Sequence, residues 1–536
     1  MRVSLILRSV AATWLAVIVS AGTAFFITPF ILHRLGDEAY GLWVLIVALS
    51  DYYLFLQIGV RSAIVRFVSR NLALHKAEEV NRVIATSFYF FMGAFVIVLG
   101  LAFGLYQHVG HFFSVKQVND HAFASLFLLV GIAQALDFPI SVFEGSLEAA
   151  GRFDQLYGLR IIGMLLRVGV IVWVLEAGGG LFGVGAATVL STLTLRFVAV
   201  PLAFREVEGF SLHPRGINKQ TFREMLVYGI TSFSVGMSER LKNSFYPLII
   251  VKFLSASALT LFSLPVKLLT IPLNGIGSMT EFVSPLSSQL EAQQDKTGLR
   301  RLLILCGETA FVLFAPLAVL MLVLGKQMLG LWVGREYMAA YPLLVLLTFG
   351  LGVNAAQYSV QSMLFGIGKH KGLIWMRLIE GFGTAALGIL MIKVWGLWGY
   401  AMATMLVAVV INLYFIPRYV CGVLDIPLGR YLSKGFLKPC LLSLPMAGAM
   451  LAFAHVVPAN SWKALIAATM VGTVVFLLTI LATMAYSQKN SSSWWSLGVV
   501  EIMRRRFLNR EENLELTAGA AVLNEYEKIE EQSVAE

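Results

Sequence analysis

Nine ionisable side chains interrupt stretches of sequence that are otherwise apolar: Asp51, Asp137, Arg167, Glu239, Arg240, Lys242, Lys267, Glu308 and Glu380. A charge near the centre of a bilayer costs about 2.5–3.5 kcal/mol on insertion scales, so each such residue either meets a ligand or is neutralised by a neighbouring helix. Both readings stay open for all nine. On the first, Arg167, Arg240, Lys242 and Lys267, with Arg66 nearer a membrane surface, hold an anion. Guanidinium forks match phosphate oxygens, and ammonium groups add point charge. The acids Asp51, Asp137, Glu239, Glu308 and Glu380 are then the candidates for carrying a coupling proton or sodium ion. Helix geometry dissects one cluster: Glu239 and Lys242, three apart, share a face, whereas Arg240 projects about 100° from Glu239 and is left to meet an anion. Pro247, on the same stretch, is placed to kink it. Arg61, Arg66 and Arg70 recur at near-helical spacing, which serves either to anchor a cytoplasmic helix end or to gather an anionic headgroup.

The elements that must position these groups follow from composition. Of 536 residues, 58% are hydrophobic and 13% charged, and the mean hydropathy is +0.78. A soluble protein is about a quarter charged. A water-soluble multidomain enzyme and a disordered scaffold are thereby excluded. About 20 apolar residues cross roughly 30 Å of hydrocarbon as a helix, and such stretches fall near 9–32, 39–60, 83–106, 122–146, 155–176, 181–203, 224–253, 256–285, 299–325, 340–366, 372–394, 395–417, 436–457 and 464–486. The apolar runs are continuous, whereas barrel strands alternate. Arg2 and Arg8 before an apolar run resemble a signal peptide, but the run continues to Leu32 and reads as a retained first span. The expected fold is an all-α polytopic membrane protein with about 14 transmembrane helices.

Sorting the 41 Lys and Arg by these spans assigns 30 to the segments on the side of the N-terminus and seven to the other side (Arg34, Lys116, Lys252, Lys326, Arg335, Lys393 and Lys463). The positive-inside rule then puts both termini in the cytoplasm. The charges form no basic domain, so nucleic acid is not an expected partner. Cys306, Cys421 and Cys440 make no CxxC spacing and no disulfide framework. No GxxxxGK[ST] loop, catalytic triad or HExxH motif is found. No enzymatic activity, cofactor or metal is expected.

An internal repeat organises the spans. At an offset of 217, Leu147, Gly151, Leu156 and Arg160 meet Leu364, Gly368, Leu373 and Arg377; at 216, Leu181, Gly183, Ala187, Thr188 and Leu190 meet Leu397, Gly399, Ala403, Thr404 and Leu406. Span 5 thus lies on span 11 and span 6 on span 12. Six is even, so the halves run in the same direction across the membrane. This divides the chain into a six-helix lobe at 1–215, a second at 216–418, two additional helices at 419–487 and a cytoplasmic tail at 488–536. In the repeat Arg167 falls near Thr384, one turn from Glu380, so opposite charges sit at similar depth in equivalent helices, to meet across a cavity or each to contact substrate. The tail carries Trp494-Trp495 and Arg504-Arg505-Arg506, a pattern that suits a helix on an anionic leaflet.

The run Pro29-Phe30-Ile31-Leu32-His33-Arg34-Leu35-Gly36-Asp37-Glu38-Ala39-Tyr40-Gly41-Leu42-Trp43 and the run Ile58-Gly59-Val60-Arg61-Ser62-Ala63-Ile64-Val65-Arg66-Phe67 resemble the opening of bacterial polysaccharide flippases. Leu331-Trp332-Val333-Gly334 and Gly366-Ile367-Gly368-Lys369 are similar to that family's second half. These flippases belong to the multidrug/oligosaccharidyl-lipid/polysaccharide exporter superfamily, and the resemblance covers roughly residues 9–418. It implies a two-lobed inner-membrane transporter that moves a polyprenyl-diphosphate-linked oligosaccharide to the outer leaflet for O-antigen, capsule or exopolysaccharide synthesis. Membrane lipids, a coupling proton or sodium ion, and polysaccharide polymerase and chain-length proteins are the implied partners. A cation-coupled drug antiporter of the same superfamily is the alternative. Its members use acids in the first lobe, whereas span 1 has no charge between Arg8 and Arg34. A membrane-embedded polymerase or ligase would need a large outside loop, and the longest here is about fifteen residues.

Overall fold

Hydrocarbon offers backbone amides no partner, so an apolar chain satisfies them within helices. The computed structural model describes residues 3–53, 60–106, 108, 120–280, 283–457 and 460–489, without the side chains of 3–11, 13, 51, 60, 120–122, 195, 230–243, 279, 355–356, 484 and 486–489. Among the described residues there is no strand. The first half contains α1 (Val3–Leu35), α2 (Asp37–Tyr53), α3 (Val60–Ala73), α4 (Ala77–Tyr106), α5 (Asp120–Ala149), α6 (Phe153–Glu176) and α7 (Gly180–Glu206). The second contains α8 (Lys219–Phe253), α9 (Ala256–Met279), α10 (Val283–Ala292), α11 (Lys296–Trp332), α12 (Tyr341–Ala356), α13 (Tyr358–Gly366) and α14 (Lys371–Val410). A π-helical turn, Ile411–Phe415, leads into α15 (Ile416–Leu424); α16 (Leu428–Leu432), α17 (Lys438–Val456) and α18 (Trp462–Lys489) follow.

Among the described residues, eleven helical stretches are long and apolar enough to span a membrane. The expected fourteen differ from them at three places. Helix α2 is described over 17 residues, Asp37–Tyr53, with 54–59 outside the described residues. Helix α8 carries Glu239, Arg240 and Lys242 mid-helix, where the side chains of 230–243 lie outside the described residues, and its described apolar stretch is Ser244–Phe253. Residues Lys371–Leu424 form one run of 54, broken inside α14 at Gly396 (φ 57°, ψ −139°), which divides it into the expected eleventh and twelfth spans.

The repeat is written in the backbone. Positive φ is rare outside glycine, yet His75 (53°) and Gln294 (55°) match, as do Gly151 (75°) and Gly368 (68°), Gly180 (56°) and Gly396 (57°), and Gly209 (77°) and Asp425 (52°). Eight of the eleven positive-φ residues described fall into these four pairs. Their separations are 219, 217, 216 and 216 residues, close to the offsets read from side-chain identities. The fold is therefore two parallel six-helix lobes with α17 and α18 appended. These last two pack on each other and on α11, through Met446, Met450, Leu465 and Ala468 against Val312, Val319 and Leu324.

In the first lobe α5 packs on α4, α3 and α7, and α6 on α1 and α7; in the second α14 packs on α8 and α12, and α12 on α9 and α11. The lobes meet mainly where α2 lies against α9 and α8. Because successive spans alternate in direction, the turns at Gly36, Gly178–Gly180 and Gly334 share one end of the bundle. Those at His75, Gly151, Gly209, Gln294 and Gly368 share the other.

Candidate functional site between the lobes

At the Gly36 end the lobes are joined. Thr260 Oγ1 on α9 donates to the Asp37 carbonyl at 2.6 Å, and Lys267 Nζ donates to Tyr40 Oη at 2.6 Å. Tyr337 donates its hydroxyl proton to the Asp37 carboxylate. Trp332 Nε1 donates to the Phe25 carbonyl at 2.8 Å while the two rings stack at 5.3 Å. Gly41 packs so closely on the first turn of α9 that a Cβ there would lie 2.0 Å from the Ala256 carbonyl oxygen. The stretch from Gly36 to Gly41 is thus the first-lobe half of an inter-lobe seal.

The His75 end differs. Between α3 and the start of α8 lies a cavity of about 1280 Å³, lined in part by Arg66, Lys219, Arg223, Glu224, Tyr228 and His370. Three fixed cations face one acid. Phe67, Tyr228 and Phe365 offer aromatic faces beside them, and the Arg66 guanidinium sits 4.4 Å from the centre of the Tyr228 ring.

Within the first lobe, α5 presents acids to arginines from three other helices. Glu144 is 7% exposed and lies 3.0 Å from Arg61, 3.8 Å from Arg196 and 3.9 Å from Arg160. Asp137, two turns earlier on the same helix, pairs with Arg196, and Glu148 takes the second nitrogen of Arg61 at 3.4 Å. A cavity of about 170 Å³ beside this network is lined by Glu144, Arg160, Gly163, Arg167 and Arg196, with Ser191 and Thr192.

In the second lobe a polar cluster joins Arg377, Glu380 and Asn412. Arg377 Nη1 donates to Glu380 Oε2 at 2.6 Å and to Asn412 Oδ1 at 3.0 Å, and Asn412 Nδ2 donates to Glu380 Oε1 at 3.2 Å. Arg377 is 4% exposed and Glu380 fully buried. Asn412 sits in the π-helical turn, where the extra residue per turn re-aims side chains.

The expected residues with described side chains fall in these four places, apart from Glu308. Arg66 lines the inter-lobe cavity, Lys267 the seal, and Asp137 and Arg167 the first-lobe network and its cavity. Glu308, 2% exposed, accepts from Lys438 Nζ at 2.8 Å, on the side of α11 that faces α17. Glu380 is held inside its own lobe, so it does not meet Arg167 across a cavity. The side chains of Asp51, Glu239, Arg240 and Lys242, and the tail with its Trp and Arg clusters, lie outside the described residues.

Arg160, Arg196 and Arg377, counted by sequence with the cytoplasmic ends, instead lie within helices and pair with acids. Glu144 was not expected. The repeat alignment of Arg160 with Arg377 was the available signal, since a cation recurring inside two equivalent helices does more than mark a membrane surface.

Comparison with known proteins agrees with this architecture. The polysaccharide biosynthesis protein family matches residues 31–342. The chain is 22% identical over 499 residues to the uncharacterized membrane protein EpsK of Bacillus subtilis (strain 168), covering 89% of this chain and 95% of that one. Among solved structures it is similar to the lipid II flippase MurJ in an inward closed conformation, with a TM-score of 0.70 and 14% identity over 90% of this chain and 99% of that one. It is also similar to an inward-facing multidrug resistance MATE family transporter of the MOP superfamily, with a TM-score of 0.64 and 13% identity over 76% of this chain and 95% of that one.

Proposed function

Because the chain belongs to the polysaccharide biosynthesis protein family, we propose that this multi-pass membrane transporter flips a polyprenyl-diphosphate-linked oligosaccharide from the cytoplasmic to the outer leaflet by alternating access. The observation that carries the reading is the basic cavity between the lobes. A diphosphate brings at least two negative charges, and Arg66, Lys219 and Arg223 against Glu224 leave an excess of cations to receive them. The volume of about 1280 Å³ exceeds the roughly 300–1,000 Å³ of drug-sized sites, which favours a saccharide headgroup over a small drug. Aromatic faces at Phe67, Tyr228 and Phe365 suit the apolar faces of sugar rings.

In this reading the His75 end is cytoplasmic, the Gly36 end faces outward, and the structure represents the inward-open state. Arg66 receives the headgroup first; Arg167, Arg240 and Lys242 act deeper; Lys267 serves the outer seal when the site faces in. The acids Asp51, Asp137, Glu239, Glu308 and Glu380 are the coupling candidates, with proton or sodium as the ion.

Deleting the gene and analysing lipid extracts tests the proposal. Accumulation of a polyprenyl-linked saccharide, cleared by the intact gene and not by an Arg66→Ala, Arg223→Ala double variant of normal abundance, is the expected result. Loss of resistance to cationic drugs with no accumulating saccharide would support the antiporter instead.

A further inference from the structure

The two lobes repeat one another, so a difference between equivalent positions shows what one lobe needs and the other supplies. Between Gly151–Gly368 and Gly180–Gly396 the offset changes by one residue. A helix cannot drop a residue without a bulge, so the change belongs in the turn at Ala177–Gly179 and the offset of 217 holds along α6. Arg160 then corresponds to Arg377, Gly163 to Glu380, Arg167 to Thr384 and Asp137 to Asn354; at 216, Arg196 corresponds to Asn412.

Around Arg377 one buried guanidinium lies on one buried carboxylate, so the charges of the pair balance, although Arg377 Nε and Nη2 have no hydrogen-bond partner among the described residues. Around Arg160 the acid is missing from the helix, because Gly163 occupies its place, and the asparagine position has become Arg196. Glu144 and Asp137 come from α5, and Glu148 binds Arg61. Four arginines (Arg61, Arg160, Arg167, Arg196) therefore share three acids. Arg160 reaches its carboxylate only at 3.9 Å, and among the described residues the pairs of Asp137, Glu144 and Glu148 are with Arg61, Arg160 and Arg196 and not with Arg167. The cavity of about 170 Å³ opens on Gly163 and is lined by Arg160, Arg167 and Arg196 with Ser191 and Thr192, and by one acid, Glu144, which Arg61, Arg160 and Arg196 approach.

We infer that this first-lobe cavity is a binding site for a phosphate-class oxyanion, which takes the place that the Glu380 carboxylate fills in the second lobe. Planar guanidinium forks converging on one space match tetrahedral oxygens and hold a single halide less well. The Ser191 hydroxyl supplies a neutral donor, whereas the Thr192 hydroxyl already donates to the Thr188 carbonyl at 2.7 Å. A surplus cation inside a membrane protein is tolerated where an anion visits it. This inference does not rest on the flippase reading, since it follows from the comparison of the lobes alone.

The test is direct binding of radiolabelled orthophosphate to the purified full-length protein in phosphate-free detergent, by equilibrium dialysis. The wild type is expected to show one saturable site. Gly163→Glu installs the carboxylate that the second lobe already has and should weaken binding at least tenfold, whereas Gly163→Ala should keep it. Arg167→Gln, a cavity substitution that leaves the Glu144 pairs in place, should also weaken binding at least tenfold. Lipid nanodiscs with and without a polyprenyl phosphate separate the sources: competition by the lipid assigns the site to a headgroup, and competition by free pyrophosphate alone assigns it to a soluble anion. Absence of saturable binding in the wild type overturns the inference. So does binding that neither Gly163→Glu nor Arg167→Gln diminishes in monodisperse protein, even where saccharide accumulation in the deletion strain upholds the transport reading.

Discussion

Replacing Gly41 with alanine is expected to loosen the outer seal selectively. The added methyl carbon would lie 2.0 Å from the Ala256 carbonyl oxygen, 2.6 Å from its carbon and 3.0 Å from Thr260 Oγ1. Carbon and oxygen approach no closer than roughly 3.3 Å without strain, so α2 and α9 must part by more than about 1 Å at this point. Both obstructing atoms nearest the methyl are backbone, which cannot swing aside as a side chain would. Overpacking of this kind costs about 1–3 kcal/mol. The cost falls only on the state in which the lobes touch here, so the ratio of sealed to unsealed molecules should drop roughly 5–150-fold. The reporter is a single cysteine at Ala256, introduced after Cys306, Cys421 and Cys440 are replaced. Ala256 is 8% exposed and its backbone carbonyl survives the change. In cells, an impermeant thiol reagent should label Cys at this position several-fold faster in the Gly41→Ala protein than with Gly41 intact. Equal labelling rates in two monodisperse, equally abundant proteins would refute the assignment of Gly41 to an opening seal.

Glu380→Gln strips the charge that balances Arg377 in a site where both are almost fully buried. Thermal unfolding should record a loss of about 3–5 kcal/mol, most of it restored by the paired change Arg377→Met with Glu380→Leu; an unchanged midpoint in the single variant would contradict the burial. Arg196→Ala leaves Asp137 and Glu144, each under a tenth exposed, short of a cation, and should lower membrane abundance. Adding Asp137→Asn is expected to recover part of it, and no recovery would separate the two residues. For topology, a cysteine at Gly179 should react with an impermeant reagent from outside and one at Lys76 or Arg215 should not. Reversed sidedness would end the orientation drawn from charge.

Much of the architecture was legible because it depends on local chemistry. Of the fourteen expected apolar stretches, the described residues form eleven runs of membrane length, one of them holding the eleventh and twelfth together, and α8 is helical through its charged middle. The repeat seen in side-chain identities reappears as matched turns at Gly151 and Gly368. The Gly36–Gly41 loop, noticed as a resemblance, became the seal once its partners on α9 and around Tyr337 were in place. Arg160, Arg196 and Arg377 were misplaced for an identifiable reason. A cation within two turns of a span boundary satisfies a hydropathy pattern equally well whether it reaches out to phosphate headgroups or in to an acid.

By itself the sequence determined which segments lie in hydrocarbon, where the chain turns and that its two halves are alike. Each of these is decided by residues within about twenty positions of one another, through transfer free energy and backbone sterics. Only the tertiary structure decided the partner of each intramembrane charge. An ion pair needs atoms within a few ångströms, and those atoms come from distant segments: Lys267 and Tyr40 are 227 residues apart, Lys438 and Glu308 are 130 apart. The same arginine is a buried ion pair at 377, where a carboxylate sits one turn along its own helix, and lines a cavity at 160, where glycine holds that place.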